Sequence, residues 1–233
     1  AEKFYNERAK LAKGNKAKAK FINKAIAKYK ACKQSPEVIA GLLRAYEYKG
    51  AYTTMTAAKK KLLFEKAVEL GENAHSKYPD NLDIAYYYMT NLGRWAQQIS
   101  LMKAATSGVS TDIKDLAEEI HKKNPHYADA GASRILGVLH MKIPSVPFVI
   151  SWPSESKGLE YLEWAYKNAP DNPANGIFYA EAMIENGEEE KAKQLLKSIS
   201  DRQPRPSKLI EDRNNLKRVG ELYAEHFDDE ISS

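Results

Sequence analysis

The stretch NPANGIFYAEAMIENGEEEKAKQLLKSISDRQP, residues Asn172–Pro204, holds the most complete form of a pattern that recurs along this 233-residue chain. Pro204 closes the stretch, and Ala192, Leu196 and Ile199 stand 12, 8 and 5 residues before it. Steps of four and three residues place these side chains on one face of a helix. Because proline cannot continue a helix, the chain must turn there. The stretch therefore predicts a helical hairpin that ends in a turn.

The same spacing precedes three further prolines, Pro79, Pro125 and Pro170. The residues at their −12, −8 and −5 positions are small or aliphatic: Ala67, Gly71, Ala74, Ile113, Ala117, Ile120, Gly158, Leu162 and Ala165. Small residues on a helix face let a neighbouring helix approach closely, and a repeated helix–turn–helix unit is typical of stacked hairpin arrays. The sequence thus predicts an all-α, right-handed superhelix of antiparallel hairpins with about ten to eleven helices.

We expect this array to form one domain over residues 1–233. It would begin with Lys-rich helices within residues 1–34, predicted at 2–13 and 16–33, and end with a capping helix at about 207–227. An aromatic helix is predicted from 83 to about 105. No apolar run approaches the roughly 20 residues needed to cross a bilayer, so no transmembrane segment is predicted.

Charge is distributed unevenly along the chain. Residues 1–66 carry 17 Lys and Arg against 5 Asp and Glu, although the whole chain has a net charge of only +5. A basic docking face for an anionic partner is one interpretation, with Lys16, Lys20, Lys24 and Lys28 as its candidates. The other is a solvated helix face whose lysine stems cover apolar surface. Because arginine, which dominates phosphate and base recognition, is nearly absent there, nucleic acid is not the expected partner.

The predicted aromatic helix carries the first candidate binding surface. Tyr87, Asn91 and Arg94 follow i, i+4, i+7 spacing and therefore share a face, with Trp95 beside them. Arg134, from a later helix, is a further candidate. An arginine that lies among aromatic side chains can bind a carboxylate through two parallel hydrogen bonds. The alternative is that both arginines bridge neighbouring helices and the aromatic residues belong to the core.

The second candidate surface is the loop Pro144–Pro153, which is too apolar for an idle solvent loop. Its largest side chains are Phe148 and Trp152. The loop either packs over its own hairpin or lines a binding surface, and we expect it to share a cleft with the aromatic helix, where Arg94 or Arg134 supplies positive charge.

No sequence motif for catalysis, a metal or a cofactor is found. There is no glycine-rich phosphate loop, G-x-S-x-G elbow or HExxH motif, and the five histidines are scattered. The lone Cys32 lies beside lysines but lacks a base partner in the sequence. These features predict a protein that is not an enzyme and has no cofactor.

Residues Asn172–Pro204 resemble a tetratricopeptide repeat, with Ala180 in the first helix, Gly187 at the turn and Pro204 at the end. Residues 35–204 as a whole resemble the TatT family, helical-repeat lipoproteins associated with tripartite (TRAP-type) transporters. The stretches that carry this resemblance are YYYMTNLGRWA (Tyr86–Ala96), Arg134–Gly137 followed by Lys142–Pro144, and LEYLEWAYKNAPDN (Leu159–Asn172).

The resemblance implies a periplasmic or outer-envelope protein that docks another protein, such as a solute-binding protein, and offers a cleft to ligand. Two alternatives remain open from the residues. One is a module that binds an apolar or carboxylate-bearing small ligand in the aromatic and arginine cleft. The other is a cytoplasmic scaffold whose basic face docks a partner. Self-association into a homo-oligomer is compatible with each of them.

Overall fold

The computed structural model describes residues 1–99, 101–146, 148 and 150–227. These residues form twelve α-helices, one 3-10 turn and three isolated β-bridges, but no strand. The helices are α1 Glu2–Asn6, α2 Ala19–Ala31, α3 Pro36–Tyr52, α4 Ala57–Lys77, α5 Leu82–Ala96, α6 Leu101–Thr106, α7 Val109–Lys123, α8 Tyr127–Lys142, α9 Glu155–Asn168, α10 Pro173–Glu185, α11 Glu189–Ser200 and α12 Leu209–His226. The all-α hairpin class is confirmed, and the right-handed sense of the superhelix stays a prediction. The twelve described helices exceed the ten to eleven predicted, because the predicted aromatic helix is divided into α5 and α6.

Side chains that accept hydrogen bonds from the first turn define where several helices begin. Asn81 caps α5 by accepting from the Ile84 backbone N–H at 3.0 Å, and Asn172 caps α10 by accepting from Ala174 at 3.1 Å. These caps satisfy amide donors that have no partner within the helix. Pro173 occupies the first helical position of α10, where its missing N–H costs nothing.

The chain divides into two compact units, residues 1–120 and residues 121–233. In the first unit, α3 packs against α2, α4 and α5, and α4 packs against α5. Its fully buried side chains include Leu43, Phe64 and Met89. The single domain predicted for residues 1–233 stays a prediction.

In the second unit, α9 packs against both α8 and α10, and α12 packs against α10 and α11. The backbones of α8 and α9 meet at two glycines: a Cβ on Gly137 would lie 3.0 Å from the Gly158 carbonyl oxygen, and one on Gly158 would lie 3.2 Å from that of Gly137. An apolar core that includes Ile177, Leu196 and Val219 joins α10, α11 and α12.

The spacing before the four prolines identified core positions correctly. All twelve residues at −12, −8 and −5 are buried. Ala67, Ala117, Ala165 and Ala192 have no exposed surface at all. The positions therefore are helix contacts, as the sequence predicts.

Two predicted helices were too long. The helix predicted at 2–13 ends at Asn6. Residues 7–12 form turns in which a backbone N–H donates to the carbonyl three residues earlier, as Lys10 does to Glu7 at 2.9 Å. The arginine within these turns, Arg8, is only 6% exposed and lies over the Tyr5 and Tyr48 rings, so the segment folds inward. The helix predicted at 83–105 is interrupted after Ala96, which yields α5 and α6.

A turn of left-handed backbone opens α8. Ala128, Asp129 and Ala130 have φ of 52°, 57° and 58°, a conformation that is costly for residues with a Cβ. Asn175 stabilises this turn because its side-chain amide donates to the Asp129 carbonyl at 3.0 Å. Asn172 contributes a second bond, to the Asp129 carboxylate, at 3.2 Å.

Enlarging the small residues at helix contacts should destabilise the fold. We expect Ala165→Leu and Ala192→Leu each to lower the free energy of unfolding by about 1–3 kcal/mol, because the added atoms have no space. Urea unfolding monitored by circular dichroism measures this change. Ala224→Leu on the exposed side of α12 is the control and should be nearly neutral. Equal midpoints for all three variants would contradict close packing.

Candidate functional site

Asn91 is part of the packing between α5 and α3. Its side chain is completely buried, and its amide nitrogen donates to the Leu43 carbonyl at 3.0 Å and to the Tyr87 carbonyl at 2.7 Å. Its carbonyl oxygen, Oδ1, has no hydrogen-bond partner among the described residues. Asn91 therefore links α5 to α3, and its side-chain oxygen is a hydrogen-bond acceptor that no described residue uses.

Arg94 bridges α5 to α3 through Glu47. Its Nε lies 3.0 Å from the Glu47 carboxylate and the Arg94 side chain remains 33% exposed. Burial opposes the positive charge, but the Glu47 carboxylate outweighs it, and the pKa of Arg94 is raised. This is the helix-bridging arrangement that the sequence left open.

Tyr87 and Trp95 are both half-buried on α5. Burial raises the pKa of Tyr87, so its hydroxyl stays protonated at physiological pH. The indole N–H of Trp95 is buried without a hydrogen-bond partner among the described residues. Trp95 follows Asn91 by four residues, so one helix turn carries an unused acceptor and an unused donor.

Arg134 lies in the second unit, where it stabilises α10. Its guanidinium donates to the Asn175 side-chain oxygen, while the Asn175 amide donates to the carbonyls of Ala165 and Ala169 at 3.1 and 2.9 Å. Asn175 thus links α8, α9 and α10 with every polar atom used. Arg134 serves this buried network, and a role in ligand binding stays a prediction.

Two described residues of the loop Pro144–Pro153 are joined by a pair of reciprocal hydrogen bonds. Val146 and Ile150 exchange backbone bonds of 2.9 and 2.8 Å, and the Ile150 side chain is buried. Phe148 at the tip has φ of 63° and is fully exposed. Trp152 is half-buried and meets the His140 ring edge-on at 5.4 Å. The loop therefore buries its base and presents Phe148 to solvent, and a cleft shared with α5 stays a prediction.

Three of the four candidate lysines form an exposed row. Lys20, Lys24 and Lys28 follow each other at four-residue steps along α2. Lys16 is separate from this row, because α2 begins at Ala19 and Lys16 instead donates to the Ala51 carbonyl at 3.4 Å. Burial, together with the nearby charges of Lys60 and Arg94, lowers the pKa of Lys16.

Sequence reasoning missed a cluster of histidine and aromatic side chains in the second unit. His121 meets the rings of Tyr161 and Trp164 edge-on at 5.7 and 5.4 Å, and His140 stacks on Tyr161 at 5.9 Å. His126 lies 5.3 Å from Trp164. His121 lies near the end of α7, His126 directly before α8 and His140 on α8, whereas Tyr161 and Trp164 lie on α9. Tertiary packing brings these side chains together, so no single local spacing reveals the cluster.

A second cluster that the sequence did not indicate lies in the first unit. The guanidinium carbon of Arg44 lies 4.0 Å from the Tyr5 ring centroid, and that of Arg8 lies 4.4 Å from the same ring. Arg44 also donates to both carboxylate oxygens of Glu2, at 2.6 and 2.8 Å. Cation–π contacts and this ion pair together hold the first residues of the chain against α3.

Cys32 is a free, exposed thiol. Among the residues that the structure describes, no three His, Cys, Asp or Glu side chains converge to hold a metal ion. No described helix is both long enough and apolar enough to cross a membrane.

We expect protonation of His121 to destabilise the second unit. Burial lowers the pKa of His121 below its usual value near 6.5, and its Nδ1 lies 2.9 Å from the buried Ser133 hydroxyl. Because the unfolded chain then binds the proton more readily, stability should fall as the pH drops below about 6.5 and level off below the folded pKa. An NMR titration of the ring measures this pKa.

His121→Gln should remove that part of the pH dependence, while the same substitution at His226, an exposed residue of α12, should leave it unchanged. A His121 midpoint at or above 6.5 would contradict the effect of burial.

Comparisons with known proteins support the repeat architecture. A family model for the tetratricopeptide repeat matches residues 156–209. The structure is similar to that of TTC0263, a thermophilic TPR protein from Thermus thermophilus, with a TM-score of 0.58 and 15% sequence identity over 89% of this chain and 87% of that one. A search of curated proteins gives no match. The chain therefore has a TPR-like helical-repeat fold, and tetratricopeptide repeats generally mediate protein–protein interaction or scaffolding.

Proposed function

We propose that this chain is a non-enzymatic docking protein and that Phe148 anchors its protein partner. The observation that carries the proposal is the full exposure of Phe148 at the tip of a turn whose base is fixed. Burying a phenylalanine side chain stabilises a complex by roughly 1.5–3 kcal/mol. Aromatic anchors of this size are typical of the residues that dominate protein interfaces.

The turn beneath Phe148 lowers the cost of binding. Val146 and Ile150 hold each other through two backbone bonds, and His140 accepts a bond from the Ser154 N–H at 3.1 Å on the following segment. A side chain displayed on a fixed backbone loses less conformational entropy when it is captured. The left-handed φ of Phe148 costs energy in the free protein, which is typical of residues held for a function.

The proposal has two versions, which differ in the partner protein and in the cellular compartment. Resemblance to the TatT family supports an envelope protein, periplasmic or associated with the outer envelope, that docks a solute-binding protein. The cytoplasmic alternative uses the exposed row Lys20, Lys24 and Lys28 to bind an acidic protein. Because exposed charges are screened within about 10 Å at 0.1 M salt, binding through that row would weaken steeply with salt.

A second candidate function is binding of a small carboxylate ligand on α5. The observation that favours it is the pair of buried, unused polar atoms, the Asn91 Oδ1 acceptor and the Trp95 indole donor, on the helix that also carries Arg94, whose side chain is 33% exposed. A ligand that carries both a carboxylate and a hydrogen-bonding group would match this set. A thermal shift on adding a panel of hydroxycarboxylates and amino acids, lost in Arg94→Gln, would support this function.

A photo-crosslinker at position 148 should capture the protein partner. We expect p-benzoylphenylalanine in place of Phe148 to form a defined adduct in cells of the native host, which mass spectrometry identifies. The same crosslinker in place of Leu62, another exposed apolar residue, is the control for chance contacts. A TatT-like role predicts that the adduct contains a solute-binding protein and fractionates with the envelope.

With the captured protein purified, Phe148→Ala should weaken its binding by roughly tenfold or more, as expected when an anchor is truncated. Leu62→Ala should leave the affinity unchanged. Adducts that are the same from both positions, or an affinity that Phe148→Ala does not alter, would contradict the proposal.

A further inference from the structure

At most of the helical glycines in the described part of the chain, a side chain of another helix packs directly against the glycine backbone. At six of them a Cβ would lie only 2.3–2.6 Å from a side-chain atom of another helix; they are Gly41, Gly50, Gly71, Gly137, Gly158 and Gly176. Phe64, for example, packs directly against Gly50. Glycine weakens a helix relative to alanine, so the close contact is what compensates for its presence.

Gly220, in the middle of α12, differs from these six because, like Gly93 on α5, it has no side chain against it. It is exposed, and a Cβ there would meet no atom of the described residues within 4 Å. It lies in a groove of about 670 Å³ between α11 and α12. Leu216, Val219 and Tyr223 line the groove from α12 and, with Gly220, follow i, i+3, i+4, i+7 spacing. An apolar stripe of two helix turns therefore surrounds a position that can receive a large side chain.

The α11 side of this groove is cationic. Lys193, Gln194 and Lys197 line it, and none of the residues that line the groove is acidic. Lys197 is exposed and forms no ion pair among the described residues. The Tyr223 hydroxyl donates to the Lys193 carbonyl at 2.8 Å, which fixes the two walls relative to each other. The groove thus combines an apolar floor with a positively charged rim.

We propose that this groove binds an acidic amphipathic helix of a partner protein. A bulky apolar side chain of that helix lies over Gly220, as Phe64 lies over Gly50 within the chain itself. Its acidic side chains face Lys193 and Lys197, so apolar contact supplies affinity and charge selects the partner. The groove is a docking surface separate from Phe148, so the proposal does not depend on the anchor described above.

Two stapled helical peptides of about 16 residues, about 24 Å long, serve as probes. Both carry the same leucine stripe, and the flanking positions are glutamate in one and lysine in the other. With the full, isotope-labelled chain, we expect the glutamate peptide to shift the amide signals of Leu216, Val219 and Gly220. The lysine peptide should bind at least about tenfold more weakly, since its charges repel the rim.

Filling the hole tests the site directly. Gly220→Leu should weaken binding of the glutamate peptide at least about tenfold. The unfolding midpoint of this variant should rise or stay unchanged, because leucine favours a helix more than glycine does. Gly93→Leu is the matched control, since Gly93 is a helical glycine in the first unit with equally open surroundings. Lys197→Glu should weaken binding, whereas Lys191→Glu, an equal charge change elsewhere on α11, should not.

Several results would overturn the proposal. Equal binding of both peptides would remove the role of charge, and shifts confined to other residues would remove the site. Binding that appears only after deletion of residues 228–233 would assign the groove to the chain's own acidic end. A homodimer in sedimentation experiments that Gly220→Leu dissociates would assign it to a second copy.

Discussion

The close approach of helix backbones at small residues is the constraint on which this structure depends. Gly137 and Gly158 bring α8 and α9 so near that either Cβ would crowd the other's carbonyl oxygen. The same close approach gives bulky side chains additional packing contacts. Leu162 packs against the backbone at Gly137, and Met141 packs against the backbone at Gly158. Each hairpin is thus held by side chains in contact with a bare backbone, where dispersion contacts are densest. Loss of one small residue would separate two helices along their whole contact.

Helices this close leave little room for water, so polar groups between them find most of their hydrogen-bond partners in the protein. One buried asparagine in each unit forms such contacts. Asn91 joins α5 to α3 through the Leu43 carbonyl, and Asn175 joins α10 to the ends of α8 and α9 through three carbonyls. A buried amide without hydrogen bonds lowers the free energy of unfolding by more than a hydrogen-bonded one raises it. These asparagines therefore favour one register of the neighbouring helices over others, in addition to stabilising the fold. Asn175 is fully matched, whereas Asn91 retains an unused oxygen among the described residues, and this difference separates a structural asparagine from a candidate ligand contact.

Local periodicity predicted the features that depend on it and none of those that depend on tertiary pairing. The hairpin predicted within Asn172–Pro204 is present as α10 and α11, because Pro173 opens it and Pro204 follows it. The residues before the four prolines were predicted as buried because spacing alone defines a helix face. The inward fold of Arg8 over Tyr5, the left-handed turn at 128–130 and the His121 cluster rest on partners distant in sequence. Of the candidate site, Phe148 was predicted from composition, but its exposure follows from the pairing of Val146 with Ile150, which composition does not encode.

Packing explains the buried apolar side chains and the six helical glycines that contact a neighbouring helix. It explains neither Phe148 nor Gly220, and Gly93 is open in the same way as Gly220. Phe148 is a large side chain with no surface to cover it, on a backbone conformation that costs energy. Gly220 is a helix-weakening residue with no side chain against it. A sequence optimised for folding alone would replace the first with a polar residue or glycine and the second with alanine. An exposed aromatic residue and a helical glycine with no side chain against it each lower the stability of the isolated chain, and a bound partner restores that stability, so the proposed contacts centre on these two positions and the lysines of the groove add selectivity.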